Sequence, residues 1–99
     1  VGNDCVLGHQ IHLEGCTIED HVLIGNASMV LHRCVIRSWS IVAANAVVLN
    51  DTRVPSGAIA VGTPATIKEG RARRDDIESG VREYVRRAEQ YRTELRRLD

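Results

Sequence analysis

Residues 1–58, VGNDCVLGHQIHLEGCTIEDHVLIGNASMVLHRCVIRSWSIVAANAVVLNDTRVPSGA, return a branched aliphatic side chain at every sixth position. Val1, Leu7 and Leu13 begin the series, and Ile18, Ile24, Val30, Ile36, Val42, Val48 and Val54 carry it on after a single interval of five. Four residues after each stands a second, mostly small class: Cys5, Ile11, Thr17, Val22, Ser28, Cys34, Ser40, Ala46, Thr52 and Ala58. A period of six matches neither the roughly 3.6 of an amphipathic helix nor the period of about 2 of a strand. It fits a hexapeptide solenoid, in which each unit is a short extended segment plus a corner and three units close one triangular coil. The aliphatic residue points to the axis, and the small residue turns inward near the corner, where a long side chain would collide with its neighbours. Stacked coils then build columns such as Val1, Ile18, Ile36 and Val54, each coil burying its apolar residues only against the next.

Working outward from the repeat, Val1 already stands on a hexad, with no methionine and no capping unit before it. Because solenoids need polar caps at their ends, the expectation is that either further N-terminal coils precede this stretch in a longer protein or something else covers the exposed coil. On the other side the repeat fades through VPSGAIAVGTPATI, where Pro55, Gly57, Gly62 and Pro64 break regular structure. From about Asp75 the period changes: Ile77, Val81, Tyr84, Ala88, Tyr91, Leu95 and Leu98 step by four and three, the stripe of an amphipathic helix. Asp75 or Asp76 is placed to cap its start, and Glu78 with Arg82 and Glu83 with Arg87 form helical pairs one turn apart. The helix is expected to lie along a face of the solenoid. The division is therefore 1–67 for the repeats and 68–99 for a linker and the helix.

A chain of 99 residues is one small domain, and one this size buries a modest share of its surface, so docking against other copies would help. Formal net charge is zero, which gives no bulk argument for nucleic acid or for a membrane surface. Nine of the twelve arginines fall after Gly70, interleaved with acids, the pattern of a solvated helix face rather than of a nucleic-acid patch. No long apolar run or signal-peptide pattern suggests membrane insertion or export. The three cysteines read as reduced thiols of a cytoplasmic protein, with Cys5 and Cys34 as inward filler and Cys16 at a corner, Cys16 and Cys34 stacking on adjacent coils.

The one dense polar cluster of the repeat lies in VLGHQIHLEGCTI, where His9, His12 and Glu14 fall within six positions. Imidazole and carboxylate are ordinary zinc ligands. Hexad phase puts His9 and Glu14 outward near one corner, with the direction of His12 left open. Elsewhere His21 reads as a solvated corner residue, and His32 and Arg33 as exposed residues at another. Trp39, projecting from a corner, reads as a contact surface for the tail helix or another subunit. Asn45 and Asn50 suit corners that need left-handed backbone.

The runs GHQIHLEGCTI, IEDHVLIGNASMVLHRCVI and IVAANAVVLNDTRVPSGAIAVGTPATIKEG resemble the gamma-class carbonic anhydrases, whose pattern of Gly-His followed by Leu-His-Gly-Cys-Thr-Ile has the same five-residue step between Leu13 and Ile18. The resemblance implies a left-handed parallel β-helix followed by a C-terminal amphipathic α-helix. It also implies a homotrimer that holds zinc between subunits through three histidines. His9 matches one of these, Glu14 stands where another would be, and the third belongs to a region upstream of Val1. The metal residues implied are thus His9 and Glu14, with His12 a substitute and Tyr91 beside the site on the helix. The implied chemistry is reversible hydration of carbon dioxide by zinc-bound hydroxide, zinc lowering the pKa of a bound water far below that of free water, to about 7. Glu14 in place of a neutral imidazole would weaken that acidity. Two alternatives stand beside it: a trimeric scaffold or assembly subunit that has lost a ligand, and a hexapeptide acyltransferase with His9 or His12 as general base and acyl coenzyme A along the solenoid.

Overall fold

Each hexad is long enough for two extended residues and a four-residue corner, and the chain uses it that way. The computed structural model describes residues 1–82. Nine strands of two residues follow one another: β1 (Val6–Leu7), β2 (His12–Leu13), β3 (Thr17–Ile18), β4 (Leu23–Ile24), β5 (Met29–Val30), β6 (Val35–Ile36), β7 (Ile41–Val42), β8 (Val47–Val48) and β9 (Arg53–Val54). Three residues each form β10 (Ile59–Val61) and β11 (Thr66–Lys68), and a helix, α1, occupies 74–82.

Every third strand joins the same sheet, which makes the solenoid three-sided. The sheets run β1-β4-β7-β10-β11, β2-β5-β8 and β3-β6-β9, all pairings parallel except the last of the first sheet. Ile18, Ile36 and Val54 form one column and Leu13, Val30 and Val48 another, as the hexad phase requires. The second residue of nearly every strand is the aliphatic one. Ile24, Val30, Ile36, Val42, Val48 and Val54 are fully buried, joined by Val22, Cys34, Ala46 and Ala58 from the small inward class. Ser28 and Ser40 are also fully buried, and each hydroxyl donates to a corner carbonyl three residues back, Gly25 at 2.7 Å and Arg37 at 2.6 Å, so neither polar group is stranded.

The single five-residue interval has a local cause. Leu7 pairs with Ile24 and Leu13 with Val30, seventeen residues on, whereas Thr17 pairs with Val35 and Ile18 with Ile36, eighteen on. The residue missing from the first coil is therefore in the corner Glu14–Gly15, opposite Leu31–His32–Arg33. This corrects two assignments. Cys16, expected at a corner, packs against the core above Cys34, while Thr17, expected inward, is exposed on the outer face. Cys16 and Cys34 do stack on adjacent coils, and all three thiols are free. Burial pushes the Cys16 thiol above its ordinary pKa.

Each corner turns through one residue of positive φ, Asp4, Gln10, His21, Ala27, Arg33, Trp39, Asn45 and Asp51 among them. Asn45 takes the left-handed backbone as expected. Asn50 does not. It accepts the N–H of His32 at 2.9 Å through Oδ1, and Asp51 next to it makes the turn. Asn26 serves His9 N–H in the same way at 2.7 Å. Corners of successive coils are thus laced by side-chain amides as well as by backbone.

The C-terminal end leaves the repeat by a hairpin, β11 folding antiparallel onto β10, with a cis peptide bond at Thr63–Pro64 between them. The helix begins at Arg74, within a residue of the expected Asp75, but the carbonyl of Arg73 accepts from Asp76 and Ile77, so Asp75 and Asp76 lie inside the first turn instead of capping it. There their charge still complements the positive end of the helix dipole. Ile77 is fully buried, and a side chain at Gly80 would meet Val6 at 3.2 Å and Leu23 at 3.5 Å, so the helix packs on the outer face of the first sheet. Glu78 and Arg82 approach to 4.0 Å. Glu83, Tyr84, Arg87, Ala88, Tyr91, Leu95 and Leu98 lie outside the described residues. Among those described, no helix is long and apolar enough to cross a membrane.

Candidate functional site

The shortened corner of the first coil is where polar side chains gather. Gly15 turns it with φ +63, and a Cβ there would stand 2.8 Å from Nδ1 of His32 in the longer corner of the coil below. The missing residue and the missing Cβ together open the space into which His32 reaches. Its Nε2 lies 3.1 Å from Oε1 of Glu14, while Nε2 of His12, first residue of β2, lies 3.0 Å from Oε2. One carboxylate is thus held by two imidazoles, one on each oxygen. His12 stands on the outer face in register with Met29, which resolves the direction left open by the sequence.

All three side chains are about half exposed, so solvent screens the arrangement and it is a weak contributor to stability. Its electrostatic mark is on Glu14, whose carboxyl is held below the usual carboxylate range by the hydrogen bond from His12 and then by the charge of His32. The same corner continues downward as Arg33 paired with Asp51, Nε to Oδ1 at 2.7 Å and Nη2 to Oδ2 at 3.1 Å, a bidentate fork that lowers the Asp51 pKa.

His9 is not part of this group. It lies in the corner between β1 and β2, whereas Glu14 lies in the corner between β2 and β3, so one full side of the triangle separates them. The convergence of His9 and Glu14 at one corner, read from hexad phase, does not occur within the chain. His32, read as exposed and structural, is exposed but is a direct partner of Glu14. Only the eighteen-residue spacing of coils, corrected for the short corner, could have found that pairing. Among the described residues no three His, Cys, Asp or Glu side chains surround a common point as ligands of one ion.

A second group forms at the corner under the helix. His21, expected to be solvated, instead stacks flat on Trp39, ring centroids 4.4 Å apart and planes 7° from parallel. The guanidinium of Arg74, at the start of α1, sits 4.6 Å from the Trp39 ring centre. Trp39 is therefore a contact surface for the tail helix, one of the two roles its position suggested. The reason is vertical register: Asn3, His21, Trp39 and Gly57 follow one another down a ladder of corner hydrogen bonds, which places the two rings one coil apart.

A family model described as bacterial transferase hexapeptide (six repeats) matches residues 15–50. Gamma carbonic anhydrase 1, mitochondrial, of Arabidopsis thaliana is 40% identical over 65 residues, 66% of this chain and 24% of that protein. Protein YrdA of Escherichia coli is 30% identical over 95 residues, 92% of this chain and 50% of that protein. A crystal structure of a Bacillus cereus protein described as an acetyltransferase superposes with a TM-score of 0.83 at 28% identity, over 91% of this chain and 54% of the other. The chain thus spans from about a quarter to just over half of the length of these relatives.

Proposed function

We propose, for a chain that belongs to the hexapeptide-repeat β-helix proteins and is related over part of its length to gamma carbonic anhydrases, that it is a gamma carbonic anhydrase-like protein acting as a homotrimer. In this reading zinc is held between protomers, with His9 and Glu14 supplying ligands from different chains. The observation that carries it is the pairing of a Gly-His corner with the one-residue-short corner Glu14–Gly15–Cys16 on the next side of the triangle. Two ligands on separate corners of one chain cannot share an ion, but a corner of one protomer and the next corner of its neighbour can face each other across an interface. Met29 and Leu49, 40% and 49% exposed beside the Glu14 corner, give that interface its apolar part.

The donor chemistry fits zinc in kind: one imidazole and one carboxylate are ligand types the ion accepts. It falls short in number, since a catalytic site uses three protein ligands and the described residues supply two at this interface. When bound, zinc would supply a hydroxide at neutral pH for attack on carbon dioxide. The chain's own contribution is to fix the Glu14 carboxylate, which His12 and His32 hold through both oxygens, and to present His9 from a corner braced by Asn26. Its negative charge makes Glu14 a ligand that lowers the acidity of a bound water compared with a third imidazole.

The test is metal content per chain beside solution mass, for the natural chain and for His9→Ala and Glu14→Ala. Stoichiometric zinc in a trimer, lost in both variants, is the expected result, to be followed by a carbon dioxide hydration assay. A trimer without metal would retire the enzyme and leave a scaffold, in which the two histidines satisfy Glu14 in place of an ion. The superposition on the Bacillus cereus protein favours acyl transfer as the second reading. Binding of acetyl coenzyme A, with His9 or His12 as the base, would select it.

A further inference from the structure

The C-terminal end of the solenoid is built unevenly. The first sheet is continued past β7 by β10 and β11, and β8 is continued by backbone bonds to Gly62 and Ala65, but β9 is the last strand of its sheet. In the coils above, backbone N–H groups point toward the C-terminal side: Thr17 donates to Cys34 at 2.9 Å and Val35 to Thr52 at 3.0 Å. The next N–H in that column is Arg53, which meets no backbone acceptor among the described residues. In the neighbouring column Glu19 donates to Ile36 and Arg37 to Val54, each at 3.0 Å, and the position below is Pro55, which has no N–H. A strand added at this edge would therefore find one donor where it needs two, the usual protection against edge-to-edge pairing.

What the edge does offer is a cleft of about 560 Å³ lined by Arg37, Arg53, Pro55, Ser56, Ile67 and Glu69. Arg37 is held in place by Glu19, whose Oε2 accepts its Nη1 at 3.0 Å while Oε1 accepts Ser38 N–H at 3.0 Å. That pair uses one of the five guanidinium donors. Arg53 makes no ion pair with any described residue, and the residues above it in its column, Val35 and Thr17, are uncharged. Two arginines, a serine and, among the described residues, an Arg53 N–H without a backbone partner thus belong to residues bordering one open cleft, with Pro55 and Ile67 among its other walls. All four polar groups can donate to an anion, and Glu69 is the one acid in the lining.

We infer that this cleft binds a small anion carrying phosphate or carboxylate groups, gripped by Arg53 and Arg37 and weakened by Glu69. A planar guanidinium matches either oxyanion in two-point geometry. The site uses none of the residues proposed to hold zinc, so it stands or falls independently of that reading.

Calorimetric titration of the full chain with inorganic pyrophosphate and, separately, with citrate at low salt tests it and distinguishes phosphate from carboxylate preference. Saturable binding of one anion per chain is expected for at least one probe. Arg53→Ala and Arg37→Ala should each weaken it by about tenfold, roughly one charge-assisted hydrogen bond. Glu69→Gln should tighten it about threefold by removing a like charge, and Arg33→Ala, at a different corner, should leave it unchanged. Because loss of Arg37 also releases Glu19 and Ser38, Arg53→Ala and Glu69→Gln carry the test if that variant melts early. Absence of binding to both probes, equal binding by Arg53→Ala and the natural chain, or equal weakening by Arg33→Ala would overturn the proposal.

Discussion

At the scale of single residues, Glu14 decides how the first coil behaves. Its carboxyl is held below its ordinary pKa of 4.5 by His12 first and His32 second. A carboxyl depressed in the folded state contributes stability above its unfolded value, and that contribution is lost as pH falls through the folded one. Carboxyl-carbon NMR titration should therefore find Glu14 below 4.5. His12→Ala should move the midpoint up more than His32→Ala does. Gly15→Ala should act like His32→Ala, because a Cβ there would stand 2.8 Å from the His32 ring and would add strain at a φ of +63. An unchanged midpoint in His12→Ala would remove the pairing from the account. The sequence shows His9, His12 and Glu14 as a cluster, but the partner that matters most after His12 lies eighteen residues on. His32 is brought in by coil stacking and by a gap one residue wide, which no local pattern displays.

At the scale of elements, the corner column and the helix are coupled through Trp39. The His21 stack and the Arg74 guanidinium cover this ring, and such contacts contribute about 0.5–1.5 and 0.5–1 kcal/mol respectively where partly exposed. Trp39→Ala is expected to cost about 1–3 kcal/mol in urea unfolding and Arg74→Gln at most about 1 kcal/mol. Trp39 emission should change in His21→Ala, and an emission identical to that of the natural chain would show that the rings do not stack in solution. Inside the solenoid the scale of effect is larger: Ile36→Ala, fully buried between Ile18 and Val54, should cost about 2–5 kcal/mol. Over the described residues the helix starts within a residue of the expected Asp75, with Ile77 of the stripe buried, but its cap falls two or three residues earlier than Asp75 or Asp76, because a carboxylate favours both the cap and the first turn.

At the scale of the whole molecule, the question is what covers the outer face beside Glu14. Met29→Glu combined with Leu49→Glu places two charges on that apolar patch and should turn the proposed trimer into monomers in sedimentation equilibrium, with the monomer still folded by circular dichroism. A trimer that survives both substitutions would move the interface to another face and with it the proposed zinc site. The sequence by itself determined the β-helix: a six-residue period is an intrinsic property of each unit, and every coil repeats the same inward and outward choice without reference to distant parts of the chain. It also determined where the period slips, between Leu13 and Ile18. Only the tertiary structure decided what the slip does, because removing one corner residue turns Cys16 inward, Thr17 outward, and seats His32 on Glu14. The same holds for His21 on Trp39 and for the arginines beside β9. These contacts are made between coils, so they depend on the vertical register of the stack and on the shape of each corner, and neither quantity is encoded within a single hexad.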